Sequence, residues 1–310
     1  MKPELSVIIP TYKRTESLEK LLDALLAQRG VSLEIIIVDQ NQPSFLDTIL
    51  GARDQVRRVM QAIPNASTAR NAGYFASSAQ TLLFIDDDLL PEADFCRKGL
   101  DILQQYAGIS CFSPLVYNQQ GKELALSQAM ARRIQAFGDN PQVFSITDTI
   151  SAALFFRREY YWKTGGFDPF LFEFARTAED QEFFLRMRKR NLTLYYVPLV
   201  EVFHDEGVPG GCELRTEDYW ITRDKCVRAW VYRRRIHHHP LGGLSVWDRL
   251  QLARSSFINR QILGSGIRDI MHNIALLKKA FGSSKAFLND KLTYYRPAEE
   301  INHLAAGQNQ

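Results

Sequence analysis

The densest chemistry in the sequence lies in Asp86-Asp87-Asp88, directly after the apolar run Thr81 to Ile85. Strand side chains alternate between faces, so a strand reaching Asp88 would bring Asp86 and Asp88 to one point and turn Asp87 away. Two hard carboxylate ligands suit Mg²⁺ or Mn²⁺, cations that keep several waters and are completed by phosphate oxygens. Asp39 likewise closes an apolar run, Leu33 to Val38. Asp180, in Glu179-Asp180, has two readings. A carboxylate there can act as a general base if it faces the same edge, or it can serve only as a helix cap, because Thr177-x-x-Asp180 resembles a capping box and acids favour helix N-termini. His204 follows the apolar run Thr193 to Phe203 and is either a cation ligand or a structural histidine. The cysteines Cys96, Cys111, Cys212 and Cys226 show no C-x-x-C spacing and no disulfide framework, as expected in a reducing compartment. His237-His-His239 before Pro240 reads as loop.

Several elements must position these groups. Leu5 to Pro10 reads as a buried strand, Thr15 to Gln28 as a helix with Leu18, Leu21, Leu22, Leu25 and Leu26 on one side, and Leu33 to Val38 as a second strand. Strand, helix, strand at this spacing is a βαβ unit, whose parallel sheet binds ligands outside the carboxyl ends of its strands. Thr11 to Arg14, Asp39 and Asp86 to Asp88 therefore share one edge. Pro91, with Glu92 and Asp94, looks like a helix start, and Ile109 to Val116 like a strand. Further on, Ala152 to Phe156 reads as a short strand, Gly165-Gly-Phe-Asp-Pro169 as a turn, Glu179 to Arg190 as a helix and Thr193 to Phe203 as a last strand. Beyond Gly211 the chain becomes helical and basic.

With 45% apolar and 24% charged residues over 310 positions, the composition is that of a globular protein and excludes disordered or fibrous classes. Apolar runs end in charge after a few residues, far short of the roughly 20 that span a membrane. Met1-Lys-Pro-Glu4 leads straight into a strand with no signal-peptide pattern, so the chain is expected in the cytoplasm. Residues 1–211 carry 22 Lys and Arg against 26 Asp and Glu, and residues 212–310 carry 16 against 9, a net of −4 and +7. That asymmetry suits a cation-bound anionic ligand in front and phosphates or anionic lipid behind. The first turn, Pro10-Thr-Tyr-Lys-Arg14, is not G-x-G-x-x-G, and Walker A is absent, which disfavours a Rossmann dehydrogenase and a P-loop enzyme. No nucleic-acid-binding motif is recognisable.

The order of features resembles glycosyltransferase family 2, a large group of GT-A enzymes. The resemblance covers residues 4–205 and rests on Val7-Ile-Ile-Pro-Thr-Tyr-Lys-Arg14, Ile36-Ile-Val-Asp39, Ala69-Arg-Asn-Ala-Gly73, Phe84-Ile-Asp-Asp-Asp88, Gly165-Gly-Phe-Asp168, Glu179-Asp180, and Val197-Pro198 leading to His204. It implies an α/β GT-A fold, Rossmann-like, with a mixed, mostly parallel central sheet flanked by helices and a helical C-terminal extension. Residues 1–211 would be the transferase domain, with a nucleotide-binding half at about 1–115 and an acceptor half at about 116–211, and 212–310 the extension. By resemblance, Pro10, Thr11, Tyr12, Arg14 and Asp39 hold the nucleotide, with Asp39 accepting from the base. Arg70 and Asn71 line the donor site, bordered by Asp86 and Asp87. Asp86 and Asp88 form the D-x-D pair, Asp88 being the direct metal ligand. His204 matches a position that touches the metal in some members, and Asp180 matches the catalytic base.

The expected activity is transfer of a sugar, with inversion, from a UDP- or dTDP-sugar to a hydroxyl of a glycan or lipid-linked acceptor, with Mn²⁺ or Mg²⁺ as cofactor, in making a cell-surface polysaccharide or lipopolysaccharide. The alternatives are a nucleotidyltransferase of similar fold, which would carry a Gly-rich first loop, and a non-catalytic sugar-nucleotide-binding scaffold. The chain departs from the common pattern at Gln40-Asn41 after Asp39 and at Ser151-Ala-Ala153, positions that bear on the donor base and the acceptor. The basic tail, with Arg233-Arg-Arg235 and Lys278-Lys279, suits peripheral contact with an anionic membrane face, a packing helix or an oligomer contact.

Overall fold

The computed structural model describes residues 2–51, 53, 55–125, 135–137, 140–205, 209–212 and 218–238, with short pieces at 246–247, 271, 275–276, 278–280 and 282–283. The chain forms two compact units. One holds the described residues of Met1–Pro169 and Glu179–Cys212, and the other those of Phe170–Ala178 and Glu213–Arg296.

The first unit is built on one mixed sheet. Strands β1 (Leu5–Thr11), β2 (Leu33–Asp39), β3 (Val56–Met60) and β4 (Thr81–Ile85) lie parallel in the order β3-β2-β1-β4. Such strands are covered on both faces, and all seven residues of β1 are buried accordingly. Helix α1 (Glu16–Leu26) buries Leu18, Leu21, Leu22 and Leu25, the stripe expected from the leucine spacing. After the short α2 (Asp47–Leu50), α3 (Ala66–Ala76) starts at Asn65, whose side chain accepts from the Thr68 N–H at 3.1 Å. A Cβ at Gly73 would stand 2.2 Å from Ile8 Cγ2, so this residue lets α3 lie directly on β1.

The other half begins with β5 (Leu89–Pro91), α4 (Phe95–Gln105) and β6 (Cys111–Tyr117), followed by β7 (Gln135–Phe137), β8 (Asn140–Ile146) and β9 (Ala153–Arg157). Pro91 does not start a helix. It ends β5, drawn into pairing with the apolar end of β10 (Leu194–His204), and α4 begins four residues later. Strand β9 runs antiparallel between β4 and β6, in register Ile85↔Ala153. Its Phe155 stacks on Phe112 of β6 with ring centres 4.8 Å apart, and each buried phenylalanine contributes about 1.5–3 kcal/mol. Strand β10 continues the sheet parallel to β6, with its register broken between Val197 and Glu201, where Pro198 has no N–H to give. Helices α5 (Arg158–Thr164) and α7 (Glu179–Lys189) pack behind, with Phe167 and Phe183 stacked at 4.2 Å.

In the second unit, α6 (Pro169–Ala175) packs Leu171, Phe174 and Ala175 against Ala229 and Tyr232 of α8 (Tyr219–His238). His237 and His238, expected in a loop, belong to the last turn of α8, and His239 lies outside the described residues. No helix among the described residues is long and apolar enough to cross a membrane.

Candidate active site

The parallel strands end together, with Thr11 of β1 opposite Asp39 of β2, and the acidic triplet follows β4 on the same edge. The strand stops at Ile85, so the expected alternation does not extend through the triplet. Asp87 and Asp88 share one partner instead: Arg14 Nη1 lies 2.7 Å from Asp87 Oδ1 and 2.7 Å from Asp88 Oδ2. All three side chains are at least 95% buried. Burial opposes the charge on Arg14, but Asp87 and Asp88 outweigh it and raise the guanidinium above its ordinary range. Burial also raises the Asp87 carboxyl, against the pull of Arg14 and with the help of Asp88.

Strand β10 brings His204 opposite Leu89, and the Asp205 N–H bonds the Asp88 carbonyl at 3.0 Å. This places His204 Nε2 3.2 Å from Asp88 Oδ2. Asp86 faces a different cation, accepting from Arg70 Nη2 of α3 at 3.0 Å. Burial pushes Asp86 up to about 6; Arg70 opposes the shift, while Asp88, Asp87 and Asp180 add to it. Arg70 also lies 3.6 Å from Glu179 Oε1 and 5.0 Å over the Phe167 ring. Although burial works against its charge, Asp86, Asp180 and Glu179 hold it more firmly protonated than usual.

No group of three or more His, Cys, Asp or Glu among the described residues is gathered to hold an ion alone. Of the three expected ligands, Asp88 and His204 meet while Asp86 is turned to Arg70; the carboxylate oxygens are of the kind that suits Mn²⁺ or Mg²⁺ completed by phosphate oxygens. The positive charge beside Asp88 belongs to Arg14.

On the β2 side, Asp39 is fully buried and both its oxygens are engaged. Oδ1 accepts from the Asn41 N–H and Nδ2 at 2.9 and 2.8 Å, and Oδ2 from Arg58 Nε and Nη2 at 2.9 and 2.6 Å. The first loop is tied down by the Lys13 N–H on Asn41 Oδ1 at 2.7 Å and by the Gly211 N–H on the Tyr12 carbonyl at 2.9 Å. Asn71 is spent on the Gly165–Asp168 turn. Its Oδ1 accepts from the Tyr161 hydroxyl and the Phe167 N–H at 2.6 and 2.9 Å, and its Nδ2 donates to the Phe167 carbonyl at 2.8 Å. Gly166, at φ +71°, is needed there, since a Cβ would come within 2.6 Å of Asn71 Oδ1. Asp180, in the first turn of α7, accepts from the Ser151 hydroxyl at 2.5 Å and the Ser151 N–H at 3.2 Å.

The sequence profile described as glycosyl transferase family 2 matches residues 6–165, more than half of the chain. The chain belongs to that family. It is 28% identical over 202 residues to an uncharacterized glycosyltransferase of Haemophilus influenzae, covering 59% of this chain and 61% of that protein. It is 26% identical over 260 residues to the poly(ribitol-phosphate) beta-N-acetylglucosaminyltransferase TarP of Staphylococcus aureus, covering 77% of each. Among solved structures, GalNAc-T7 with UDP, GalNAc and Mn²⁺ matches with a TM-score of 0.55 at 16% identity, over 81% of this chain and 54% of that one. The mixed α/β fold expected of a GT-A enzyme is therefore present, and the chain spans about three fifths of the length of the Haemophilus relative.

In this family 2 glycosyltransferase the structure gathers Arg14, Arg70, Asp86, Asp87, Asp88, Asp180 and His204 at one edge of the sheet. Pro10 and Thr11 end β1 there, and Asp39 lies beside them with its oxygens already engaged. Asn71 serves the fold of the turn. Sequence reading missed Arg58 on β3, because Val56-Arg-Arg-Val-Met60 has too little apolar character to read as a strand. It noted Ser151 only as a departure from pattern. A hydroxyl residue just before a buried strand at the ligand edge was the available signal.

Proposed function

We propose that this glycosyltransferase moves a hexose, hexosamine or deoxyhexose from a UDP- or dTDP-activated donor to a hydroxyl of a glycan or lipid-linked acceptor, with inversion, in building a cell-surface polysaccharide or lipopolysaccharide. The observation that carries this reading is the placement of Asp180 and Asp86 around one arginine, Arg70, at the ligand edge. The N-acetylglucosaminyl activity in TarP's name and the UDP, GalNAc and Mn²⁺ in the GalNAc-T7 structure support an N-acetylhexosamine on a uridine donor.

In this reading Asp88, with Asp86 and His204, holds a divalent cation. When bound, the cation supplies charge stabilisation to the departing nucleoside diphosphate. Arg14 and Arg70 add positive charge on the same side. Asp180 takes the proton of the acceptor hydroxyl as its oxygen forms a bond to the anomeric carbon and the bond to the diphosphate oxygen breaks. A single displacement inverts the centre and needs no covalent nucleophile. A lipid-linked acceptor would bring the enzyme to the inner face of the membrane, with residues 212–310 supplying the basic contact.

The test is calorimetric binding and slow hydrolysis of UDP-, dTDP- and GDP-sugars with Mn²⁺ or Mg²⁺. We expect one nucleotide to bind only with metal, Asp88→Ala to abolish that binding, and Asp180→Asn to keep it while losing turnover. Binding of a sugar nucleotide without turnover would favour the scaffold reading, and no binding of any sugar nucleotide in the presence of metal would overturn both.

A further inference from the structure

We infer that Ser151 is a positioning residue for the candidate base Asp180 and that, through its neighbour Ala152, it registers that base against the donor-side carboxylates. The inference rests on the reading of Asp180 given above.

A carboxylate at the end of a short side chain turns easily about its last bond, since that torsion has only broad preferences. At Asp180 both oxygens are held by one residue. The Ser151 hydroxyl donates to Oδ1 at 2.5 Å and the Ser151 N–H donates to Oδ2 at 3.2 Å. Two bonds from one rigid residue fix the plane of the carboxylate, which a single bond does not do. They are also unequal. The short hydroxyl bond commits Oδ1, while the long backbone bond leaves Oδ2 as the oxygen better able to take a proton.

Ser151 is itself enclosed. It is 2% exposed, and β9 follows two residues later. On its other side Thr149, also buried, donates to the Ala125 carbonyl at 3.0 Å and contacts the Ser113 hydroxyl on β6 at 3.3 Å. The next residue makes the second connection, for the Ala152 carbonyl accepts the Asp86 N–H at 2.8 Å. The dipeptide Ser151-Ala152 thus grips the base with its first residue and the start of the acidic triplet with its second. Acceptor activation and donor binding come from segments about ninety residues apart, joined by one stretch of backbone two residues long. Reacting groups that must meet within a few tenths of an ångström require such second-layer support.

The experiment uses the full-length enzyme, with Ser151→Ala and Ser151→Cys as removals and Ser151→Thr as rescue. Cysteine keeps the shape of serine, is somewhat larger and is a weak donor. UDP with Mn²⁺ is the binding probe, dTDP replaces it if that nucleotide is the one bound, and hydrolysis of the matching sugar nucleotide is the turnover probe. We expect both removals to lower kcat by ~10- to 100-fold, the scale of a small misplacement of a reacting group. KM for the donor and affinity for the nucleoside diphosphate with Mn²⁺ should stay within about twofold of wild type, because a removed transition-state contact lowers kcat alone. Ser151→Thr should recover most of the rate. In the Asp180→Asn background, Ser151→Ala should cost nothing further, since the two residues act as one unit.

A wild-type rate in both removals overturns the proposal, and so does an equal loss in the Asp180→Asn background or a loss of nucleotide affinity, since each would give Ser151 no role or a role in folding or donor binding. If Ser151→Ala fails to fold, the cysteine and threonine variants carry the same comparison. A wild type that binds no nucleotide with metal would instead remove the functional reading beneath it.

Discussion

The two acidic regions of the site are neutralised in opposite ways. Asp87 and Asp88 are almost wholly buried and share one arginine, so part of their charge is matched by charge. Asp180 is half-buried and its two oxygens are held by a hydroxyl and a backbone N–H, dipoles that orient it, while the charge of Arg70 acts on it without a direct bond between them. Region by region, the chemistry follows. On the proposed function, a resident guanidinium suits carboxylates that exchange one cation for another when an anionic ligand arrives, while a dipole cradle suits a carboxylate that accepts and releases a proton in place. Arg70 stands between them, bonded to Asp86 and close to Glu179.

The sharpest way to break this contrast is at the base. Asp180→Asn should reduce turnover by about 10²- to 10⁴-fold, the usual worth of general-base catalysis, with nucleotide affinity unchanged; a fall in affinity instead would make Asp180 part of the donor site. Arg14→Met comes next. It removes the arginine that two buried carboxylates share, and breaking a buried pair costs about 3–5 kcal/mol, so the melting temperature should drop and added Mn²⁺ should raise it more than in wild type. An equal Mn²⁺ response in the two proteins would mean that the arginine does not occupy the cation's place. The turn clamp should respond less. Asn71→Ala leaves the Phe167 backbone and the Tyr161 hydroxyl without their partner and should cost about 1–3 kcal/mol in denaturant titration, while nucleotide affinity per folded molecule is preserved.

The smallest effect is in pH. Asp86 titrates near 6 in the folded protein and lower when unfolded, so the native state binds the extra proton between the two values. Stability from this group is therefore full below the unfolded value of 3.8 and is lost as pH rises through about 6. If Asp86 helps hold the cation as proposed, metal-dependent binding needs its charged form and should run the other way, weakening as pH falls below about 6. Asp86→Asn should flatten the stability trend in chemical denaturation at graded pH; an unchanged trend would assign it to another group.

Much of the donor half was legible because its signals are local. An apolar strand ending in Asp39 or Ile85, and leucines spaced along α1, state their own structure. What was hidden depended on distance along the chain. Arg14 and Asp87 are 73 residues apart and Ser151 and Asp180 are 29 apart, and nothing near either partner announces the other. Pro91 was misread because its pairing partner on β10 comes more than a hundred residues later, and Arg58 because a strand containing two arginines has no apolar alternation to read. The triplet itself was found, but its geometry was not, since alternation holds only while the backbone remains a strand and β4 ends one residue too soon.

The antiparallel pairing of β9 with β4 also bears on how this enzyme can be recombined with its relatives. Because Ile85 faces Ala153, a splice that adds or removes one residue between Thr149 and Ala153 would displace Ser151 within the turn that leads into β9 and separate the two halves of the site. Chimaeras that exchange acceptor-side segments between family members should therefore take their junctions before Thr149, so that the splice passes the whole β9 lead-in intact and leaves the donor side in its own frame.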